Sequence, residues 1–164
     1  MQKKFRIRQF KERDIDQVIN INRKCLPENY SGLFFLELYK RFPSLFIVAE
    51  ERSRSERIIG YALARMEIGF PELEHLGFLT KKGHLVSIAV LENYRHKGIG
   101  TTLLKQIMKA MEKYEANECY LEVRVSNKAA ITMYEKLGFV VRKQASNYYR
   151  DGENAYVMAR KLST

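Results

Sequence analysis

The segment Val86-Ser-Ile-Ala-Val-Leu-Glu-Asn-Tyr-Arg-His-Lys-Gly-Ile-Gly100 decides how this chain folds. Its first five residues are typical of a buried strand, and the residues from Ile99 onward repeat apolar side chains at helical spacing. A strand, a glycine turn and a helix in succession direct backbone N–H groups and the positive end of a helix dipole at a bound anion. Gly98 and Gly100 allow the backbone to approach a ligand closely and to adopt a positive φ. We interpret the turn as a pyrophosphate-binding loop.

Three phosphate-binding patterns compete for this turn. A P-loop requires Lys and then Ser or Thr directly after its last glycine, whereas Gly100 is followed by two threonines. A dinucleotide fingerprint requires a small residue in place of Leu103, although an acidic residue about 20 positions on, Glu118 or Glu122, leaves that pattern weakened rather than excluded. The third pattern, Arg or Gln followed by x-x-Gly-x-Gly or Ala, fits Arg95–Gly100. A basic, glycine-containing surface turn fits these six residues as well.

Further motifs accompany the loop in a fixed order along the chain. They are Leu26-Pro-Glu-Asn-Tyr30, Leu121-Glu-Val-Arg124, Ser126-Asn-Lys-Ala-Ala130, Tyr134-Glu-Lys-Leu-Gly-Phe139 and Tyr148-Tyr-Arg-Asp-Gly-Glu-Asn-Ala-Tyr156. Together with the loop, they identify the chain as a member of the GCN5-related N-acetyltransferase (GNAT) superfamily. Over nearly its full length it resembles the N-terminal protein acetyltransferases, specifically the NatA catalytic subunit and its archaeal counterparts. The resemblance implies acetyl-CoA as the ligand of the loop.

Length and composition predict one globular domain over residues 1–164, with 46% hydrophobic residues to form a core. No apolar run approaches the roughly 20 residues of a membrane span. The basic start, Met1 to Arg8, alternates with apolar residues and is typical of an edge strand rather than a signal peptide. Cys25 and Cys119 are interpreted as free thiols in a reducing cytoplasm, and no His/Cys spacing suggests a metal site. We therefore expect a cytoplasmic protein without a metal or a membrane partner.

The net charge of +10 suits nucleic acid, an anionic membrane or an acidic ligand. Lysine and arginine are scattered along the chain, and no known RNA- or DNA-binding pattern occurs, so no specific nucleic acid is predicted as partner. CoA carries several negative charges and accounts for part of the excess. The remainder suggests an association with ribosomal RNA, where nascent chains emerge.

The hydrophobic periodicity predicts the order β-α-α-β-β-β-α-β-α-β-β. Asp14 is expected to cap a first helix that ends near Cys25, and Leu33–Tyr39 forms a second helix. Arg52–Arg57 is predicted as a polar hairpin tip after the strand Leu45–Ala49, with a strand Ile58–Arg65 following it. The residues from Gly69 to Gly83 are predicted as a long loop.

The strands near residues 84–90 and 119–125 flank the helix that follows the glycine turn. A strand–helix–strand unit of this kind makes its two strands parallel by the right-handed crossover rule. The family resemblance implies the α/β GNAT fold, a mixed and mostly antiparallel sheet of about seven strands with four helices. In that fold the two parallel strands splay apart and hold acetyl-CoA between them.

Glu122 is the strongest candidate for a catalytic residue. It lies on a strand of β-branched residues, where a carboxylate is unusual, and by itself a salt bridge to Arg124 or to a lysine explains it. The resemblance implies instead that Glu122 is the general base for an attacking amine, whose own pKa near ~8 requires only a modest base. His84, at the start of the facing strand, is equally compatible with a solvated residue and with the second half of a clamp on a catalytic water.

Tyr134 by itself is a helical aromatic residue of the core or surface, and the resemblance implies that it is the general acid beside the CoA sulfur. Either Ser126 or Asn127 caps its helix. The oxyanion is expected to meet a backbone N–H near Ile88–Val90, where the family's strand bulges. The predicted acetyl-CoA contacts are Ile88, Ala89, Val90, Arg95, His96, Lys97, Gly98, Ile99, Gly100, Thr101, Asn127, Ala130 and Tyr134.

Two tyrosine-bearing segments are candidates for peptide binding. Leu26, Glu28 and Tyr30 lie on a turn that Pro27 alone would explain, and the resemblance makes this turn the lip that receives a peptide N-terminus. Tyr148 and Tyr149 precede Asp151-Gly152, which predicts a type I′ hairpin turn. The resemblance makes that hairpin the opposite wall.

The sequence thus predicts an acetyl-CoA-dependent acetyltransferase of protein N-terminal α-amines that works by direct transfer, since neither cysteine has a histidine nearby in sequence. The alternatives are a lysine or small-amine acetyltransferase, a non-catalytic acyl-CoA-binding module and, more weakly, a nucleic-acid-binding protein. In this family, eukaryotic NatA catalytic subunits work with an auxiliary partner and often carry His where this chain has Glu122. The need for a partner is therefore left open.

Overall fold

The computed structural model describes residues 4–53, 56–74 and 77–163. The strands and helices of the described residues follow the predicted order. They are β1 (Phe5–Gln9), α1 (Ile15–Cys25), α2 (Gly32–Arg41), β2 (Phe46–Glu51), β3 (Ile58–Gly69), β4 (Thr80–Val90), α3 (Ile99–Lys113), β5 (Glu118–Arg124), α4 (Lys128–Lys136), β6 (Val140–Ala145) and β7 (Ala155–Lys161). The strands form one mixed sheet in the order β1-β2-β3-β4-β5-β7-β6, which confirms the predicted fold class.

Two compact units can be distinguished in the chain. The first comprises the described residues up to Arg65 together with Leu85–Ala110, and the second comprises Met66–His84 and the described residues from Met111 onward. The expectation of a single domain stays a prediction. Among the described residues, no helix is long and apolar enough to cross a membrane.

The first unit is built on an antiparallel edge of the sheet. β1 pairs with β2, and β2 pairs with β3, so the predicted edge strand at the N-terminus is confirmed. Helices α1 and α2 each carry apolar side chains at helical spacing and bury them against β2 and β3. The core of this unit consists of Phe10, Val18, Ile21, Phe35, Leu38, Phe46, Val48, Ile58, Tyr61, Leu63 and Ala89.

Asp14 does precede α1, but its side chain does not cap that helix. The carboxylate is buried and bonds to the Arg8 guanidinium, with a shortest distance of 2.7 Å. The same arginine also pairs with Glu50 on β2. The predicted N-cap position is therefore confirmed, but the expected capping bond does not form, because the Asp14 carboxylate accepts instead from the Arg8 guanidinium and from the Lys11 N–H at 2.8 Å.

The second unit contains the parallel strand pair that was predicted. Its register joins Lys82 with Glu118, Gly83 with Cys119 and His84 with Tyr120. β5 then pairs antiparallel with β7, which in turn pairs with β6. β4 continues beyond the last registered pair to Val90 and β5 continues to Arg124. The splaying of these strands around acetyl-CoA stays a prediction.

The long loop predicted from Gly69 to Gly83 is shorter in the structure, since β3 ends at Gly69 and β4 begins at Thr80. Hydrogen bonding by residues assigned to the loop explains the difference, because the Lys81 carbonyl accepts from the backbone of Asn117 at 2.9 Å. Residues 75 and 76 of this loop, and residues 54 and 55 of the predicted hairpin tip, lie outside the described residues.

The hairpin between β6 and β7 differs from the predicted two-residue turn. Its tip is closed by a hydrogen bond from the Gly152 N–H to the Tyr149 carbonyl, at 2.8 Å. Gly152 has a positive φ of 87°, but Asp151 does not, so the prediction of a type I′ Asp-Gly turn is wrong. The Asp151 side chain instead accepts from the Glu153 N–H at 3.1 Å, which holds a longer turn.

Candidate active site

The predicted pyrophosphate-binding loop lies in the first unit, directly before α3. Gly98 has a φ of 79°, as expected for a glycine chosen for positive φ, and a Cβ added there would meet no atom within 4 Å. Gly100 is the second residue of α3 and Thr101 the third, so their N–H groups belong to the helical turn that lacks intrahelical partners. The open backbone and the free donors of the first turn fit a diphosphate.

The basic residues of the loop are exposed and also shape it. The Arg95 Nε donates to the Val90 carbonyl at 2.9 Å, which ties the loop to the end of β4. The Lys97 ammonium donates to the Asn93 carbonyl at 2.9 Å. His96, a residue with a Cβ, has a positive φ of 59°, a feature that the sequence pattern did not predict. The loop therefore combines cationic side chains with a backbone bent for anion binding.

The second unit brings His84 and Glu122 together. The His84 Nε2 lies 2.7 Å from Glu122 Oε2, a hydrogen-bond distance. Glu122 is two residues beyond Tyr120, the residue that the register pairs with His84, and so lies on the same face of β5 as Tyr120. On the other edge of the imidazole, Nδ1 lies 3.4 Å from Glu67 Oε2. The ring also stacks on Tyr120, with 4.3 Å between centroids and 7° between planes. The Tyr120 hydroxyl in turn donates to the Glu67 carboxylate.

This setting determines the charge of His84, which is only 8% exposed. Burial by itself lowers the pKa of the imidazole, because the cation loses its hydration. The hydrogen bond to Glu122 and the negative charges of Glu122 and Glu67 outweigh that effect, so the pKa of His84 lies above its usual value. The two carboxylates beside the ring therefore favour the charged form of the imidazole.

A second set of charges lies along the same stretch of β4. The Lys82 ammonium lies 4.3 Å from the centroid of the Tyr120 ring and donates to Glu72 Oε1 and to the Phe70 carbonyl, each at 2.9 Å. The Glu118 carboxylate accepts from the Glu72 N–H at 2.6 Å. These bonds hold the start of the loop after β3 against the strands that carry His84 and Glu122.

Tyr134 is buried on α4 and 5.8 Å, between ring centroids, from Phe139. Burial raises the pKa of its phenol well above the usual range, so the hydroxyl is protonated at neutral pH. Asn127 caps α4, since its Oδ1 accepts from the Ala130 N–H at 3.2 Å. Ser126 donates instead to Glu153, which settles the choice between the two caps that the sequence left open.

The predicted substrate lip, Leu26 to Tyr30, is anchored in the first unit by Asn22, which is 1% exposed. The Asn22 amide donates to the Glu28 carbonyl at 3.1 Å and accepts from the Tyr30 N–H at 3.3 Å. It also donates to the Tyr61 hydroxyl at 3.0 Å. The burial of Tyr61 raises the pKa of its phenol to about 12, so this buried network stays neutral.

The other predicted peptide wall lies in the second unit. The rings of Tyr148 and Tyr149 pack edge to face with 5.0 Å between centroids. The Arg124 guanidinium lies 4.1 Å from the centroid of the Tyr149 ring and pairs with Asp151 at 2.8 Å and with Glu153 at 3.1 Å. This arginine therefore supports the hairpin, whereas Glu122 is hydrogen-bonded to His84.

Sequence reasoning missed Glu67, Tyr120 and Asn22 as parts of these sites. β3 was predicted to end at Arg65, which placed Glu67 outside any strand. Tyr120 and Glu122 are two residues apart and therefore lie on the same face of β5. Lys82 and His84 have the same spacing on β4, the neighbouring strand. Polar residues repeated at this spacing on two neighbouring strands are the signal that would have found the cluster.

Comparison with known proteins agrees with this geometry. The family model described as Acetyltransferase (GNAT) family matches residues 15–139. An N-alpha-acetyltransferase of Sulfurisphaera tokodaii is 53% identical over 161 residues, which cover 98% of this chain and 95% of that protein. The N-terminal acetyltransferase A complex catalytic subunit NAA10 of Arabidopsis thaliana is 41% identical, over 86% of this chain and 69% of that protein. The crystal structure of Ard1 from Thermoplasma volcanium aligns with a TM-score of 0.83 at 28% identity, covering 98% of this chain and 99% of that one.

The chain therefore belongs to the GNAT acetyltransferase family. Within that family, the predicted resemblance to N-terminal acetyltransferases of the archaeal, NatA catalytic-subunit type is confirmed. The predictions of an acetyl-CoA-dependent acyltransferase and of activity on N-terminal amines are confirmed with it. The roles of the individual site residues stay predictions.

Proposed function

We propose that this chain acetylates the α-amine of protein or peptide N-termini by direct transfer, with Glu122 as the general base. The observation that carries the proposal is the 2.7 Å contact between Glu122 and His84 within a largely buried cluster on the sheet. A carboxylate held in this way is oriented by its hydrogen bond, and a fixed orientation is what removal of a proton through a bound water requires.

The reaction needs two proton transfers, one from the attacking amine and one to the leaving thiolate. Acetyl-CoA supplies an acetyl thioester, and the C–N bond to the amine forms as the C–S bond breaks. Glu122 takes the proton that the attacking amine loses, through a water. Tyr134, protonated because of its burial, gives a proton to the leaving thiolate and regains one from solvent. The backbone N–H groups near Ile88–Val90 are proposed to stabilise the oxyanion.

A covalent acetyl-enzyme on cysteine is not part of this mechanism. Cys119 is completely buried, and its burial raises the pKa of the thiol well above the usual range. The Cys25 thiol donates to the Val90 carbonyl at 3.6 Å. A buried thiol with a raised pKa is a poor nucleophile, so direct transfer is the mechanism that the structure supports.

We propose that the segment from Leu26 to Tyr30 and the pair Tyr148 and Tyr149 bind the first residues of the peptide substrate. The Asn22 side chain is hydrogen-bonded to the Glu28 carbonyl and to the Tyr30 N–H. These bonds fix the first segment in one conformation, against which a peptide backbone can bind. Tyrosine supplies contact area together with a hydroxyl for hydrogen bonding.

The experiment uses peptides that begin with Ser, Ala, Met or Asp-Glu and a peptide whose only amine is a lysine side chain. We expect acetyl transfer to the α-amines, and loss of at least about 100-fold in kcat in the variant Glu122→Gln, because that is the usual contribution of a general base. Glu74→Gln removes the same charge from an exposed site and serves as the control.

Acetyl-CoA binding is measured by calorimetry in parallel and should be unchanged in Glu122→Gln. Transfer at the wild-type rate in this variant contradicts the assignment of the base. Transfer to the lysine peptide alone indicates a lysine acetyltransferase, and binding without transfer to any peptide indicates a non-catalytic acyl-CoA-binding module.

We also propose that the protein acts in the cytoplasm and associates with the ribosome. The net charge of +10 exceeds what the binding of one CoA requires, and nascent N-termini emerge beside ribosomal RNA.

A further inference from the structure

Glu67 lies beside His84 on the edge of the imidazole that does not face Glu122. The His84 Nδ1 lies 3.4 Å from Glu67 Oε2, which is an ion-pair distance and longer than a normal hydrogen bond. The His84 Nε2 lies 2.7 Å from Glu122 Oε2. The imidazole is therefore placed between two carboxylates, one from β3 and one from β5.

The two contacts together restrict the protonation state of the ring. A neutral imidazole carries one N–H and one lone pair, so one of its nitrogens would present a lone pair to a carboxylate. The Nε2 contact is short enough to need a proton between the nitrogen and Glu122. If the proton were only there, Nδ1 would face the negative charge of Glu67 with its lone pair. When neither carboxylate carries a proton, both contacts are favourable at once only if both nitrogens do.

The groups around Glu67 and His84 hold the Glu67 carboxylate in place and set the charge around the imidazole. The Tyr120 hydroxyl donates to its carboxylate, and the Tyr120 ring stacks on the imidazole. A further charge on β4 is the Lys82 ammonium, which lies against the Tyr120 ring and would oppose a second cation. Glu72 neutralises that ammonium at 2.9 Å. The Glu118 carboxylate is engaged by backbone N–H groups of Glu72 and Leu73. The charges that face His84 therefore favour its cationic form.

We propose that Glu67 is a positioning residue that keeps both ring nitrogens of His84 protonated, so that Glu122, and not His84, accepts the proton of the substrate amine. This inference rests on the proposed function for the identity of the amine. A doubly protonated imidazole has no lone pair with which to accept a proton, and it donates a hydrogen bond that fixes the Glu122 carboxylate in place. The remaining lone pairs of that carboxylate accept the proton of the attacking amine through water.

The first test is a histidine NMR titration of the full chain, which needs no activity. The chain has three histidines, His75, His84 and His96, and the variant His84→Gln assigns the signal of interest. We expect Glu67→Gln to lower the titration midpoint of His84 by about one pH unit, the usual effect of losing one opposite charge at this distance. Glu67→Asp keeps the negative charge, so it should lower the titration midpoint of His84 by less than Glu67→Gln does. Glu74→Gln, with the same loss of charge at an exposed site, should leave it unchanged.

A midpoint that does not move in Glu67→Gln overturns the inference. If that variant does not fold, Glu67→Asp keeps the carboxylate but draws it away from Nδ1 by one methylene, and a smaller shift in the same direction is expected. An unmoved midpoint in Glu67→Asp overturns the inference in that case.

The second test assigns the base by kinetics. His84→Gln keeps a hydrogen-bond donor toward Glu122 and is expected to lose about 10-fold in kcat, whereas Glu122→Gln loses at least about 100-fold. Equal losses, or an acidic limb in kcat whose midpoint follows that of His84, would make His84 the base and overturn the assignment. If the wild-type protein transfers acetyl to no amine, the proposed function fails, while the titration still decides whether Glu67 controls the protonation of His84.

Discussion

Single residues in the His84 cluster show how burial and charge compete. Burial lowers the pKa of the imidazole, and the contacts with Glu122 and Glu67 raise it by more. The same competition occurs around Glu50 in the first unit, where burial raises the pKa and bonds to Arg8, to the Glu56 N–H and to Arg6 lower it to about 2. In both places a buried charge is retained because its partners are fixed by neighbouring strands.

The raised pKa of His84 makes a prediction about stability. Because the pKa in the folded state lies above the unfolded value near ~6.5, the contribution of this residue is fully present below that value and is lost as the pH rises through the folded pKa. We expect the difference in the free energy of unfolding between wild type and His84→Gln to be larger at about pH 6 than at about pH 9. Urea unfolding at both pH values measures it. Equal differences at the two values would mean that His84 is not preferentially protonated in the folded protein.

At the scale of elements, the close approach of β3 and β4 in the first unit depends on Gly60. A Cβ added at this position would lie 2.9 Å from the Ala89 carbonyl oxygen and 3.3 Å from Val90 Cγ2. The backbone oxygen belongs to a strand and has no freedom to move aside, so the contact requires a glycine. These are also the residues of β4 whose N–H groups are proposed to face the oxyanion.

We therefore expect Gly60→Ala to lower the free energy of unfolding by about 1–3 kcal/mol, the usual cost of forcing extra volume into a packed site. Denaturant unfolding measures the change. Gly77→Ala is the matched control, because a Cβ there meets nothing within 4 Å, and its effect should stay within about 0.5 kcal/mol. Equal stabilities of the two variants would show that β3 and β4 tolerate a wider spacing.

At the scale of the whole molecule, the net charge of +10 would attract the protein to the phosphate groups of ribosomal RNA. A surface with scattered lysines and arginines binds phosphate backbones without reading sequence, and such binding weakens as salt releases its counterions. The proposed ribosome association is of this kind.

We expect the protein to co-sediment with ribosomes at low salt and to dissociate as the salt concentration is raised through the physiological range. An unrelated protein of similar net charge, tested in parallel, separates a general charge effect from a specific one. Absence of salt-sensitive co-sedimentation would remove the ribosome from the proposed partners.

The sequence by itself determined the order of elements, the bounds of α1, the glycine turn with its positive φ at Gly98, and the membership of the chain in its family. These depend on local periodicity, on backbone sterics and on motifs that are contiguous in the chain. Only the tertiary structure placed Glu67 beside His84, bonded Asn22 to the turn that carries Glu28, and paired the Asp14 carboxylate with Arg8 instead of with the N–H groups of α1. The physical reason is that a polar side chain takes the partner that folding brings within reach. Strand registers and tertiary packing decide that partner, and the spacing of neighbouring residues in the sequence predicts neither of them.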